Sequence, residues 1–163
     1  MVSSKHPEPP LDGRLDELYA SPEFLIRRAH QVATAIFTDT CADLDLTPSQ
    51  YSALFALRER APIGQNELGR VIALDRSTMS VVIRSLRDRG LVVGASDASD
   101  RRKVFLDLTT EGRLMLAKAE QRNSRSNEAL LSPFDRRQAS EFLELLNKLG
   151  HLLDARTEKN TAR

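Results

Sequence analysis

Apolar residues recur along this chain at spacings of three and four in several separate segments, and each such segment predicts an amphipathic helix. From about Pro22 to Leu44 the residues Leu25, Ala29, Val32, Ala33, Ile36 and Phe37 form a single stripe, expected to be buried. Thr47-Pro48-Ser49-Gln50 carries the signature of a helix start. Thr47 suits the N-cap, Pro48 the first helical position, and Gln50 can reach back to close a capping box. Tyr51, Leu54, Phe55 and Leu57 continue that helix to about Arg60, where Ala61-Pro62-Ile63-Gly64 interrupts it. A short helix near 65–72 turns Leu68, Val71 and Ile72 inward. Asp75 then suits the N-cap of a helix over 76–89, and Gly90 sits where a left-handed glycine ends one.

The pattern next becomes β-rich. Leu91-Val92-Val93 and the run from Lys103 to Leu108 flank a polar, turn-prone stretch from Gly94 to Arg102, which predicts a hairpin with a long charged tip. Thr109 or Thr110 opens another helix to about Asn127, and Ser132-Pro133-Phe134-Asp135 starts a leucine-rich last helix through Leu153. Residues 1–13, with Pro7, Pro9 and Pro10, read as a flexible tail. The fold class is therefore mainly α with a small β-hairpin.

Two short helices joined by a three- to four-residue turn and followed by a hairpin suit a winged helix-turn-helix, whose second helix fits the DNA major groove. The faces of 76–89 support this. Met79, Val82, Ile83 and Leu86 share one arc and must pack inward. The opposite arc holds Ser77, Val81 and Arg84, flanked by Thr78, Ser80 and Ser85. Small hydroxyls near a helix start, with arginine one or two turns later, suit phosphates and base edges. The tip residues Arg101 and Arg102 have the reach to enter a flanking minor groove, with Asp100 orienting Arg102.

Composition at first points elsewhere. The 163 residues carry 24 Lys+Arg against 23 Asp+Glu, a net charge of +1. Between Arg76 and Lys103, however, seven basic residues (Arg76, Arg84, Arg87, Arg89, Arg101, Arg102 and Lys103) face only Asp88, Asp97 and Asp100. The basic charge is concentrated on the expected DNA surface, and the remainder of the chain is mildly acidic. No apolar stretch approaches the roughly 18–20 residues of a membrane span. The N-terminus lacks the apolar core of a secretory signal, and the lone Cys41 fits a reducing, cytoplasmic setting. His6, His30 and His151 lie in distant segments, so no metal site is expected, nor any other cofactor. Phosphate-loop, zinc-protease and nucleophile-elbow motifs are missing, so no enzymatic activity is expected.

Leu74-Asp75-Arg76-Ser77-Thr78-Met79-Ser80, Leu86-Arg87-Asp88-Arg89-Gly90-Leu91-Val92, Asp97-Ala98-Ser99-Asp100-Arg101-Arg102 and Leu106-Asp107-Leu108-Thr109-Thr110-Glu111-Gly112 together resemble the MarR family of winged helix-turn-helix transcriptional regulators. The motifs span about 65–112, and the helix order extends the likeness over roughly 24–153. The resemblance implies a homodimer on a palindromic operator, repression as the default, and release by a small ligand, often a phenolic or carboxylate compound. Phe24-Leu25-Ile26-Arg27-Arg28-Ala29-His30-Gln31 is similar to the regulators of aromatic-acid catabolism. Phe142, Leu145, Leu146, Leu149, Leu152 and Leu153 form a stripe too apolar for a lone surface helix, which independently favours a dimer.

The expected organisation is a tail over 1–22, a dimerisation and pocket helix over 23–46, and the DNA-binding lobe over 47–109. Dimerisation helices over 110–154 and a tail over 155–163 complete it. DNA contacts are expected from Arg76, Ser77, Thr78, Ser80, Val81, Arg84, Arg101, Arg102 and Lys103. Ligand contacts are expected from Arg27, Arg28, His30, Phe37, Tyr51 and Phe55, each of which also has a plain reading as a core, surface or salt-bridge residue. Two departures from the family pattern stand out. Gly64 replaces a Ser or Thr cap, and Val81 replaces a basic or polar residue, so it faces either a thymine methyl group or only sugar and solvent. An oxidation sensor using Cys41 and a ligand-independent DNA-binding module are the competing readings; Asp39 and Asp43 beside Cys41 disfavour the thiolate. Arg102→Ala is expected to weaken DNA binding strongly in a gel shift while gel filtration still shows a dimer. Full operator affinity in that variant contradicts the wing assignment.

Overall fold

The computed structural model describes the backbone of residues 13–96 and 104–161, and the side chains of 15–95 and 104–152. The helices are α1 (Gly13–Ala20), α2 (Pro22–Thr40), α3 (Pro48–Arg60), α4 (Gln65–Val71), α5 (Arg76–Asp88), α6 (Thr110–Leu131) and α7 (Arg136–Thr161). A one-turn 3-10 helix, Ala42–Leu44, links α2 to α3. Three strands, β1 (Ile63–Gly64), β2 (Val92–Ser96) and β3 (Val104–Leu108), form an antiparallel sheet in the order β1-β3-β2.

Local chemistry places most of these boundaries. At α3 the predicted capping box forms: the Gln50 N–H donates to Thr47 Oγ1 at 3.2 Å and the Thr47 N–H to Gln50 Oε1 at 2.9 Å. Gly64 leaves α4 without a side-chain cap, as its lack of a hydroxyl implies. Gly90, at φ 68°, closes α5 in the left-handed region. The winged lobe is held by a core in which Leu54, Leu57, Leu68, Met79, Leu86, Leu106 and Leu116 are fully buried. Elements α3, α4, α5, β3 and α6 each contribute at least one of these side chains.

Val71, expected to turn inward with Leu68, is 47% exposed, and larger features also differ from the sequence expectation. Residues 13–20, expected within the tail, form α1. A helix this short is marginal alone, and it is seated by the Tyr19 ring against Phe24 of α2, with centroids 5.1 Å apart. Strand β1 was not predicted, since two residues carry no periodicity; it forms because Ile63 and Gly64 come alongside Leu106 and Phe105. Helix α7 is capped by Asp135 and Gln138 and runs to Thr161, through much of the expected C-terminal tail. The predicted buried stripe of α2 is buried within this chain only at its end, at Phe37, while Leu25, Ala29 and Val32 are exposed. Helix α7 makes no extensive packing contact with the other described elements. Its Leu143, Leu145, Leu146, Leu149 and Leu152 are exposed as well.

Helix α6 starts hard against the end of the wing lobe. Thr109 Oγ1 donates to the Gly90 carbonyl at 2.7 Å and accepts the Gly112 N–H at 3.0 Å. The Thr109 N–H donates to the Leu91 carbonyl. A Cβ at position 112 would lie 2.0 Å from the Leu91 oxygen, a backbone atom that cannot step aside. Gly112→Ala is therefore expected to lose about 3 kcal/mol of stability through overpacking, whereas Gly64→Ser, in open space at the α4 cap, gains a few tenths of a kcal/mol. Thermal unfolding of both variants checks this; an unchanged midpoint for Gly112→Ala rules out the close approach.

Candidate nucleic-acid interface

The turn between α4 and α5 is made by backbone geometry that favours small residues. The Leu74 N–H donates to the Gly69 carbonyl at 2.9 Å, Ala73 takes φ 55°, and a Cβ on Gly69 would approach the Leu74 oxygen to 3.1 Å. This brings Asp75 to the head of α5. Its carboxylate accepts the backbone N–H groups of Ser77 and Thr78 at 2.9 and 3.0 Å and both of their hydroxyls at 2.5 Å. Those hydrogen bonds, the Ser77 hydroxyl first among them, hold Asp75 far below the usual carboxylate range. The cap is therefore a stable anion at neutral pH.

Helix α5 divides as its periodicity predicts. Met79, Val82, Ile83 and Leu86 are buried, and Ser77, Val81 and Arg84 are exposed, Val81 to 64%. The hydroxyls are another matter. Ser77 and Thr78 spend their donors on Asp75, and the Ser80 hydroxyl donates to the Arg76 carbonyl while accepting from Gln65 Nε2 at 3.0 Å. Ser85 turns inward and accepts from Gln50 Nε2 at 2.9 Å. Arg76, Val81 and Arg84 face outward, with Arg87 and Asp88 exposed towards the helix end, and neither Arg76 nor Arg84 pairs with an acid among the described residues.

Sequence reasoning missed the flanks of this face. A recess of about 520 Å³ beside α5 is lined by Gln65, Asn66, Arg70, Arg76 and Ser80, with Phe105 of β3. A second, of about 540 Å³, is lined by Gln65, Ser80, Arg84, Arg87 and Asp88. Arg87 lies across the base of the wing, its guanidinium 3.6 Å from where a Cβ on Gly94 would stand. Gln65 and Arg70 follow an interrupting Pro-Ile-Gly stretch and carry no motif, so only the fold brings them to α5. Arg101, Arg102 and Lys103 lie outside the described residues.

The expected ligand residues fall into two groups. Phe37, Tyr51 and Phe55 form a continuous aromatic row, with centroids 5.6 and 6.2 Å apart. Asn123 Nδ2 donates to the Tyr51 hydroxyl at 3.3 Å, and burial, aided by Glu120, raises the phenol above its ordinary value, so it stays protonated. Tyr51 and Phe55 border an open recess of about 580 Å³, with Ser52, Glu59, Arg60, Val71 and Asn123. Arg27, Arg28 and His30 are not brought to this row. They are exposed on the first half of α2, where the two guanidinium groups lie 4.9 and 5.9 Å from the Phe24 ring centre. Arg60, which the sequence did not single out, is the cation at the recess. Cys41 is 1% exposed, and burial together with Asp43 pushes its thiol up, which is the reverse of what a reactive cysteine needs.

Residues 44–103 match the model of the MarR family. The chain is 37% identical over 107 residues to the HTH-type transcriptional repressor NicR of Pseudomonas putida, covering 66% of this chain and 68% of that protein. Its fold superposes on a probable transcriptional regulator from Pseudomonas aeruginosa with a TM-score of 0.77 at 32% identity, covering 81% of this chain and 98% of the other. It superposes with a TM-score of 0.76, at 27% identity and over 87% and 98% of the two chains, on Bordetella bronchiseptica BpsR, whose DNA binding is regulated by 6-hydroxynicotinic acid. With α5 in a major groove, Arg84→Ala is expected to cost about 1–3 kcal/mol of operator binding and to relax preference at the base it faces. On the same operator panel, Val81→Ala should lose discrimination only at a thymine; unchanged discrimination, read by fluorescence anisotropy, assigns Val81 to sugar or solvent.

Proposed function

The chain belongs to the MarR family of transcriptional regulators, and from that premise we propose that it is a homodimeric repressor released from a palindromic operator by a small aromatic carboxylate or its thioester. The observation that carries the DNA-binding part is the division of α5. One arc is locked into the core, while the other presents Arg76, Val81 and Arg84 from a firmly capped helix start. In this reading Arg76 and Arg84 contact phosphates or base edges, and Arg101, Arg102 and Lys103 of the wing reach a flanking groove. Ser77, Thr78 and Ser80 serve chiefly to stiffen the helix start.

The dimer is supported by the exposed apolar faces of α2 and α7, which a water-soluble protein does not ordinarily leave uncovered. A two-fold pairing through them places two copies of α5 on one side, with half-sites about one helical turn apart. No described helix is long and apolar enough to cross a membrane. A regulator that meets DNA in this way works in the cytoplasm.

The effector reading rests on the recess beside Tyr51 and Phe55. The ring of an aromatic acid can stack there, the neutral Tyr51 hydroxyl and Asn123 can meet a ring hydroxyl or nitrogen, and Arg60 can take the carboxylate. Arg27, Arg28 and His30 remain candidates only through an assembled dimer. The regulation of BpsR by 6-hydroxynicotinic acid points to the same chemical class. Release then follows from tighter binding of the effector to the dimer geometry that does not fit DNA.

A thermal-shift panel of hydroxybenzoates, cinnamates, nicotinates and their thioesters, followed by a gel shift with each hit, tests this. An effector at 100 times its dissociation constant adds about 2.7 kcal/mol, a rise of roughly 5–10 °C for a chain of this size. Phe55→Ala should abolish the rise. Stabilisation by no member of the panel overturns the effector reading and leaves the ligand-independent module.

A further inference from the structure

Arg89 belongs by sequence to the basic set of the DNA-binding lobe, where a cation is ordinarily assigned to a phosphate. Its geometry assigns it elsewhere. Arg89 is the C-cap residue of α5. One terminal nitrogen donates to the Asp45 carbonyl and the other to the Leu44 carbonyl, the latter at 2.8 Å. These are successive carbonyls at the end of the 3-10 turn between α2 and α3, where Asp45 takes the left-handed conformation, φ 49° and ψ 48°. A guanidinium fork held by two acceptors is directional in a way that an ammonium is not.

The same turn is anchored on its other side. Arg122 of α6 donates to the Asp43 carboxylate at 2.9 Å. One turn back along α5, Ser85 accepts from Gln50, a buried side chain at the start of α3. The C-terminal half of α5 is thus pegged at two polar points to the segment where α2 gives way to α3. That segment is the joint between the dimerisation helix and the DNA-binding lobe.

We propose that Arg89 is a positioning residue for operator binding, which makes no phosphate contact but sets the pitch of α5 on the α2–α3 joint and so the spacing of the two recognition helices. This rests on the dimeric reading above. The lever arm is favourable. Helix α5 has 13 residues, about 20 Å of helix, so a tilt of about ten degrees at its pegged end moves Ser77 by about 3 Å. A hydrogen bond to a base edge does not survive such a shift.

The test uses Arg89→Lys, which keeps the charge and loses the fork, and Arg89→Met, which keeps the stem and loses the charge. Operator affinity is measured across a salt series for both. Spin labels on Val81→Cys, with and without each substitution, report the distance between the two copies of α5 in free protein; Cys41 is buried, and the unsubstituted chain serves as the labelling control. Both Arg89 variants should bind about tenfold more weakly, with the slope of log Kd against log salt unchanged, and both should shift or broaden the distance distribution. Normal binding by Arg89→Lys, with Arg89→Met reducing the slope by about one, identifies a phosphate contact and overturns the proposal. So does normal binding by both variants, or weakened binding with an unchanged distance. Absence of any dipolar signal from Val81→Cys itself refutes the dimer, and the proposal with it. Should Arg89→Met fail to fold, Arg89→Lys alone decides the matter.

Discussion

Burial of Met79, Val82, Ile83 and Leu86 against α3, α4 and β2 is the constraint on which the rest of the molecule depends. A helix can read DNA only if its outward arc is held still, and dense packing of the inward arc is what holds it. Four apolar side chains settle the rotation of α5 about its own axis. The pitch of the helix on that face is the second coordinate to be held. Polar pegs supply that second coordinate: Gln65 to Ser80 near the start, Gln50 to Ser85 and Arg89 to Leu44 and Asp45 towards the end.

The pegs lead into the helices that reach beyond the lobe. Helix α6 begins on the Gly90–Leu91 backbone and carries Arg122 to the 3-10 turn and Glu120 to Arg58 of α3. Ion pairs as exposed as these contribute little to stability. Their directional value is greater, since they tie α3, α6 and the joint into one body. The aromatic row of Phe37, Tyr51 and Phe55 lies within that body, so a ring stacked on Tyr51 and Phe55 presses on α3, and Gln50 at the start of α3 is one of the pegs of α5.

Charge is arranged to suit reversible binding. The overall charge of +1 conceals a basic lobe surface and a mildly acidic remainder. Non-specific attraction to DNA is correspondingly modest, and specific affinity must come from a well-placed α5 and wing. One member of the nominal basic set, Arg89, is engaged with carbonyls, while Arg87 remains exposed beside Arg84.

Much of this protein is written locally in its sequence. The Thr47–Gln50 capping box, the Asp75 cap, the left-handed Gly90 and the two arcs of α5 involve residues within about one or two helical turns of each other, where spacing and side-chain chemistry suffice. The leucine stripe of α7 is likewise legible in the sequence. Other features depend on segments far apart in the chain. Strand β1 exists because β3 passes beside it. The hydroxyls of Ser77 and Thr78, legible as DNA contacts by type, are engaged locally by Asp75, whereas Ser80 accepts from Gln65 of the preceding helix. Arg60 replaced Arg27 and Arg28 at the recess because the approach of α4 and α6 to α3 decides which cation lies there. Periodicity and capping thus determined the helices from α2 to α7 and the face that α5 turns outward. Only the tertiary structure decided that Ser85 turns inward to Gln50 and that Arg89 caps the α2–α3 turn, because a hydrogen-bond partner tens of residues away leaves no trace in local spacing.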